Sequence, residues 1–183
     1  FDADFWRAAL TSARNGGGAE AGRSLSVFAP ERIDLHADVL DVFGRRLHGV
    51  DLRAQSPTRV WQIRLASKEA NGDLSFDSFG RGALRARLRN LNLEAAGQEA
   101  REGTIDTPEE LPALDVVADS FSLGTKKMGR LEVQARNEAS NWRIEKLSIV
   151  NPDGKLEGSG AWRMLPPQQF ALDFRLESGD VGA

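Results

Sequence analysis

Residues 33–63 read IDLHADVLDVFGRRLHGVDLRAQSPTRVWQI, and residues 114–144 read LDVVADSFSLGTKKMGRLEVQARNEASNWRI. The two stretches align without a gap at an offset of 81, the step from Trp61 to Trp142. Six of the 31 positions are identical: Asp34/Asp115, Ala37/Ala118, Asp38/Asp119, Ala54/Ala135, Trp61/Trp142 and Ile63/Ile144. Composition alone gives about two. Others keep their class, among them Arg45/Lys126, Arg46/Lys127, Val50/Leu131, Asp51/Glu132 and Leu52/Val133. Self-similarity of this kind predicts a unit that stacks on copies of itself. It also supplies an internal control, since a residue that does chemistry in one copy can be checked against its twin.

Within and around the two copies the hydrophobic period is two. Ile33, Leu35, Ala37 and Val39 alternate with Asp34, His36 and Asp38; Val50, Leu52 and Ala54 with Asp51 and Arg53; Trp61, Ile63 and Leu65 with Gln62 and Arg64. Leu84, Ala86 and Leu88 alternate with Arg85, Arg87 and Arg89, and Leu131, Val133 and Ala135 with Glu132 and Gln134. Phe170, Leu172, Phe174 and Leu176 close the series. Strands with one wet and one apolar face belong to antiparallel sheets, because buried parallel strands read as continuous apolar runs.

Turn residues punctuate the pattern: Gly44-Arg45, Ser56-Pro57, Asn71-Gly72, Asn151-Pro152-Asp153-Gly154 and Pro166-Pro167. Asn-Gly is a two-residue hairpin signal, so a turn is expected at Asn71-Gly72. The count is five strands per copy, at about 32–42, 46–55, 59–67, 72–79 and 82–93, then 113–122, 127–136, 141–150, 154–163 and 168–177. Five is odd, so the fifth strand of a meander runs in the direction of the first. For the second copy to sit as the first does, the polar stretch EAAGQEAREGTIDTPEEL, Glu94 to Leu111, must cross back over the sheet. At about 3.3 Å per extended residue its length suffices. The expected organisation is a short helix and glycine-rich linker over 1–23, a first β repeat over 24–93, a crossing connector over 94–111 and a second β repeat over 112–183. The helix rests on Asp2 or Asp4 as cap and on Phe5, Ala8, Ala9 and Ser12 at helical spacing, ended by Asn15-Gly16-Gly17-Gly18. The fold class expected is mainly β: an antiparallel, strongly curved and twisted sheet forming an open groove.

The 183 residues suffice for a real core, and a net charge of −3 implies no polyanion, so no nucleic-acid partner is expected. There is no cysteine, hence neither a disulfide framework nor thiolate chemistry. No apolar run approaches the ~18 residues of a spanning helix. The chain opens at Phe1 and ends on Gly182-Ala183, and is expected to be a piece of a longer protein, with any targeting and anchoring segments outside it.

Asp34-x-His36-x-Asp38 places two carboxylates and an imidazole on one strand face, the raw material of a metal or acid–base site. Its twin is Asp115-x-Val117-x-Asp119, so the histidine is not part of the shared pattern; His48 faces Gly129 in the same comparison. The glycines at 16–18 lack the lysine and preceding strand of a phosphate loop. No catalytic residue, metal or cofactor is expected. Arg81, Arg85, Arg87 and Arg89 form a basic stripe, three of them on one face of one strand, that could meet a phosphate headgroup or an acidic partner, or be an ordinary solvated face.

The run LPALDVVADSFSLGTKKMGRLEVQA, followed by NWRI and by LSIVNPDGKLEGSGAW, resembles the repeat of the AsmA-like superfamily, most closely its YhdP branch. Leu111-Pro112, Gly129-Arg130-Leu131, Trp142 and Gly158-Ser159-Gly160-Ala161-Trp162 carry the resemblance; Arg46-Leu47, Trp61 and Asn71-Gly72-Asp73-Leu74 repeat it more faintly. It covers about residues 24–177, and the first copy departs from it with Phe79-Gly80-Arg81-Gly82 in place of the Gly-x-Gly-x-Trp close. The resemblance implies an inner-membrane-anchored, periplasmic, bridge-like protein of a Gram-negative envelope, its anchor outside this sequence. Its apolar groove would carry phospholipid between inner and outer membrane, with no catalytic residues. Partners implied are acyl chains, adjacent repeats of the same parent chain, and membranes reached through other parts of it. Under this reading the acyl-contact candidates are Ile33, Leu35, Val50, Leu52, Trp61, Ile63, Leu114, Val116, Leu131, Val133, Trp142, Ile144 and Trp162, and the headgroup candidates are Arg85, Arg87 and Arg89. The same alternation also fits a closed β-sandwich serving as scaffold or interaction module, its apolar face turned to a second sheet.

Overall fold

The computed structural model describes residues 32–42, 45–56, 58, 60–94, 111–138, 141–163 and 169–179. The expected helix and linker over 1–23 and nearly all of the connector lie outside the described residues. Ten strands are formed: β1 (Arg32–Val42), β2 (Arg45–Gln55), β3 (Val60–Ala66), β4 (Ala70–Asp77), β5 (Ala83–Leu93), β6 (Ala113–Leu123), β7 (Lys126–Glu138), β8 (Asn141–Asn151), β9 (Gly154–Arg163) and β10 (Gln169–Ser178). They make one ten-stranded sheet in sequence order, open at β1 and β10, with no second sheet facing it among the described residues. Neighbours pair antiparallel everywhere except β5 and β6, which are parallel. The chain therefore leaves β5 at one end of the strands and enters β6 at the other.

Each alternating run adopts a strand because one face of the sheet is apolar and the other charged. The register makes this continuous. Ile33, Ala54, Ile63, Leu74, Ala86, Val116, Val133, Leu147, Gly158 and Phe174 are successive cross-strand partners from β1 to β10. So are Leu35, Leu52, Leu65, Gly72, Leu88, Ala118, Leu131, Ile149, Leu156 and Leu176. Two apolar rows thus cross the whole sheet without a break. The register of β1 on β2 matches that of β6 on β7 at the offset of 81: Leu35–Leu52 corresponds to Val116–Val133, and Asp34–Arg53 to Asp115–Gln134. Likewise Ala54–Ile63 corresponds to Ala135–Ile144.

Bulges shift the alternation where it fails in the sequence. Along β5 the apolar positions run 84, 86, 88 and then 91, 93, with the irregularity facing Asn71/Gly72. Along β6 they run 114, 116, 118 and then 121, 123, leaving Asp119 and Ser120 both exposed. The turn expected at Asn71-Gly72 is not there. The β3–β4 hairpin turns earlier, where the Ala70 N–H donates to Ser67 Oγ at 2.9 Å and the His48 N–H donates to the Glu69 carboxylate at 2.7 Å. Asn71 and Gly72 lie inside β4, where a Cβ on Gly72 would stand 2.2 Å from the Arg87 carbonyl oxygen, so glycine serves close approach rather than a turn. The β8–β9 turn forms where expected, its Asn151 Oδ1 accepting from the Asp153 and Gly154 N–H groups at 2.9 and 2.8 Å.

Candidate functional site

The apolar face is the candidate site. Its core runs through Ala86, Leu88, Ala118, Phe121 and Leu131 in the middle of the sheet, through Leu40, Val50, Leu65 and Ala70 under β1–β4, and through Ala135 and Trp142 toward β9. The face is most open along β10, where Phe170, Phe174 and Leu176 are 57%, 68% and 70% exposed; Ile33 on β1 and Leu123 on β6 are 38% and 40% exposed. All thirteen acyl-contact candidates lie on this one face, by cross-strand pairing with one another or with its buried residues. Ile33, Ile63, Val116 and Val133 stand in the first row, Leu35, Leu52 and Leu131 in the second. Val50 is fully buried opposite Ala37. Trp61 sits opposite Phe76, Leu114 opposite Leu84, Ile144 opposite Ala135, and Trp142 opposite Trp162. Leu74, Phe76 and Phe121 share the face and were not singled out from the sequence. The bulged, aspartate-bearing β4 and the Asp119-Ser120 step hide their phase, and their aromatic or aliphatic character next to polar residues is the signal that was available.

Two ends of the strands differ. Trp61, Phe76, Trp142, Trp162 and Phe170 all lie toward the end where β3, β8 and β10 begin. Trp162 and Phe170 meet edge to face with centroids 6.2 Å apart. The opposite end carries Leu40, Leu91, Leu93, Leu123, Met128 and Ile149, aliphatic or thioether side chains, with Phe121 buried among them.

The other face is charged and internally paired. Arg32 and Arg53 flank Asp34, Arg64 meets Asp73, Lys146 and Arg130 share Glu132, and Arg136 bridges Glu138 and Glu145. Arg85, Arg87 and Arg89 are on this face, opposite the acyl-contact candidates. Arg87 donates through Nη2 to Asp115 Oδ2 at 2.8 Å and through Nη1 to the Asp115 carbonyl at 2.9 Å; Arg85 Nε reaches the same Oδ2 at 3.0 Å. The Arg87 hydrogen bond, with the charges of both arginines, holds the Asp115 carboxyl below its ordinary pKa against a smaller opposing effect of burial. Arg89 has no ion-pair partner among the described residues. His36 meets Asp51 across the hairpin at 3.2 Å with both side chains exposed, and no group of histidines and carboxylates able to hold a metal occurs among the described residues. His48 Nδ1 lies 2.7 Å from Glu69 Oε1. Burial raises the Glu69 pKa, yet the hydrogen bonds from the His48 N–H and imidazole outweigh it, and the carboxyl titrates below its ordinary value. Among the described residues no helix is long and apolar enough to cross a membrane.

Among the described residues the site is an apolar sheet face backed by a salt-bridged outer face. Comparison with known proteins gives a single finding. The family model described as YhdP protein matches residues 1–183, the full sequence. No curated protein and no solved structure matches. By a match over its whole length, this chain belongs to the YhdP protein family.

Proposed function

We propose that this chain is a segment of a membrane-associated, periplasmic bridge of the cell envelope, and that its apolar face carries phospholipid acyl chains between the inner and outer membranes. The observation that carries the reading is the pair of apolar rows that run unbroken over all ten strands and end at open edges. Ala54, Leu65, Ala86, Leu88, Ala118 and Leu131 are buried within these rows, while Ile33, Phe174 and Leu176 at their ends are exposed; exposed apolar surface marks a ligand or a partner. In this reading the two five-strand sets are repeats of one unit joined by a connector that crosses the sheet, and the sheet curls toward its apolar side into a groove. The edges at β1 and β10 meet adjacent repeats of the parent chain, since unpaired N–H and C=O groups template further strands. Ten strands at about 4.8 Å span roughly 48 Å, a part of a membrane-to-membrane path. Contact between Arg85, Arg87 or Arg89 and a headgroup requires a ligand on the polar face, where Arg89 is the most available of the three. Attachment to a membrane falls to parts of the parent outside this sequence.

The test is lipid extraction of the purified chain followed by mass spectrometry. Phospholipid in stoichiometric amount is expected. Absence of phospholipid, together with a face closed to apolar dyes, sinks the reading in favour of a scaffold whose apolar face packs on protein.

A further inference from the structure

The two rims of the apolar face are chemically unlike, and this difference assigns an orientation to what lies on it. The three tryptophans among the described residues all stand on this face and at the same end of the strands. Trp142 is 8% exposed and its indole N–H donates to the Pro112 carbonyl at 3.0 Å. Trp61 and Trp162 are only half-buried, and among the described residues neither indole N–H has an acceptor. A tryptophan used as core filler pairs its N–H when buried, as Trp142 does. A half-buried indole with an unused donor is instead suited to a boundary, its ring in apolar surroundings and its N–H toward a polar layer. The opposite rim, with Leu91, Leu93 and Leu123, offers acyl chains an aliphatic surface of the same chemistry as their own.

We infer that Trp61 and Trp162 are positioning residues for an ester-linked lipid. Their indole N–H groups donate to ester or phosphate oxygens at the tryptophan rim, and the acyl chains extend along the strands toward the aliphatic rim. This deepens the lipid reading above and rests on it. The complementarity is of donors with acceptors: an ester region carries oxygens and no donors, and the tryptophan rim supplies, on apolar supports, donors that have no acceptor among the described residues. Lys126, cross-strand from Leu123, is a cation at the aliphatic rim and is the residue that would hold the phosphate were the lipid reversed.

The experiment uses the chain with Trp6→Phe, so that emission comes from the three tryptophans of the face. It is loaded with phosphatidylcholine brominated either beside the ester end of the acyl chain or near its methyl end. Bromine quenches only neighbouring indoles. Ester-end bromine is expected to quench about twofold more than methyl-end bromine, as an interfacial indole requires. Trp61→Phe with Trp162→Phe, which keeps most of the apolar area, brings that ratio toward one while Lys126→Ala leaves it unchanged. Equal quenching, or stronger quenching from the methyl end that Lys126→Ala abolishes, overturns the orientation even though the lipid is bound. No co-eluting bromolipid at all overturns the lipid reading itself. Because the decisive ratio is read before either face tryptophan is altered, misfolding of the double variant does not blur the outcome.

Discussion

Glutamate at Val133 is expected to cost about 1–2 kcal/mol of folding stability and to empty the apolar face of lipid. Val133 lies between Val116 and Leu147 in the first of the two rows that cross the sheet, and it is half-buried. Fully burying a valine side chain is worth about 1.5–3 kcal/mol, so removing a half-buried one forfeits roughly half of that. On an open face the new carboxylate turns to water, and no further cost arises. Two residues away, Leu131 is 6% exposed and packed among Ala86, Leu88, Ala118 and Phe121. Leu131→Glu loses a whole leucine and strands a charge, together about 5 kcal/mol or more, comparable to the entire stability of a typical domain. Urea unfolding followed by tryptophan fluorescence gives both values, and extraction with mass spectrometry gives the lipid retained. At about 2–4 °C per kcal/mol the Val133→Glu shift in Tm is a few degrees. If Val133→Glu proves as damaging as Leu131→Glu, the face is a closed core. If it folds and keeps its full complement of lipid, the lipid sits elsewhere. Leu52, the twin position, is half-buried too and should behave alike.

Other consequences are checkable in the same assays. Gly49 and Gly129 both have φ in the left-handed region, +60° and +99°, but a Cβ on Gly49 meets nothing within 4 Å whereas one on Gly129 falls 2.1 Å from the Val150 carbonyl oxygen. Gly49→Ala should cost about 1 kcal/mol and Gly129→Ala about 2–4 kcal/mol; the reverse order in urea unfolding would contradict the register at Gly129. Asp115→Asn removes the negative charge shared by Arg85 and Arg87 and should cost about 1 kcal/mol at neutral pH, where the carboxylate is charged. The Asp115 and Glu69 carboxyls both titrate below their ordinary values in the folded state. Their stabilisation is therefore present above about pH 4–5 and is lost as pH falls through the lowered folded values. Asp115→Asn should flatten part of that acid limb in urea midpoints measured from pH 7 to 3, and an unchanged limb would remove the ion pairs from the account. Glu69→Gln, which loses the charge facing His48 and the charge-assisted acceptor of its N–H, should loosen the β3–β4 turn and speed hydrogen exchange at His48.

The sequence marked the strands well because most of them obey one rule, an apolar residue at every second position on a half-wet sheet. β1, β2, β8 and β9 fall within a residue of the expected bounds, and the parallel pair β5–β6 is what an odd strand count requires if the second copy is to sit as the first does. What escaped was set by contacts that the local pattern does not contain. Asn71-Gly72 has the composition of a hairpin, yet His48 from β2 captures Glu69 and the chain turns three residues earlier. Leu40 falls on the wet side of the alternation of β1 but is 2% exposed, clustered with Val50, Leu65 and Ala70 from the following strands. Phe121 is displaced onto the apolar face by the irregularity after Ala118. The arginines of β5 read as a free basic stripe, while the parallel register brings Asp115 beneath two of them. A partner 28 or 30 residues away across a parallel ladder leaves no local trace.

The parallel join also decides something the apolar rows alone do not. Alternation keeps a face apolar whichever way a strand runs: the parallel ladder pairs Ala86 with Val116 and Leu88 with Ala118, and a reversed β6 would pair Ala86 with Ala118 and Leu88 with Val116 and still continue the rows. The ends of the strands are different, because reversing a strand exchanges them. Had β6 run antiparallel to β5, the tryptophan of β8 would stand at the opposite end of the strands from that of β3. Five strands before the join and a parallel pair at it put Trp61 and Trp142 at the same rim, each near the start of the strand that follows a corresponding hairpin. Parallel pairing is slightly weaker per residue than antiparallel, and Arg85 and Arg87 tie β5 to β6 through Asp115 at that one join, on the face away from the apolar rows. An odd strand count with a parallel join therefore conserves the rim along the molecule. If the face carries lipid as proposed, a lipid oriented by the tryptophans of one five-strand set would meet the same orientation on the next and need not turn over as it advances. Shortening the first set by one hairpin preserves this, since it removes two strands. Removing β1 alone preserves the rim as well, because β2–β5 and the join are untouched. Only an insertion or deletion of a single strand between β3 and β8 brings Trp61 and Trp142 to opposite rims. In such a variant the quenching ratio from ester-end and methyl-end bromine should fall toward one, with the lipid still bound. A ratio that survives it would mean that the tryptophans do not set the orientation.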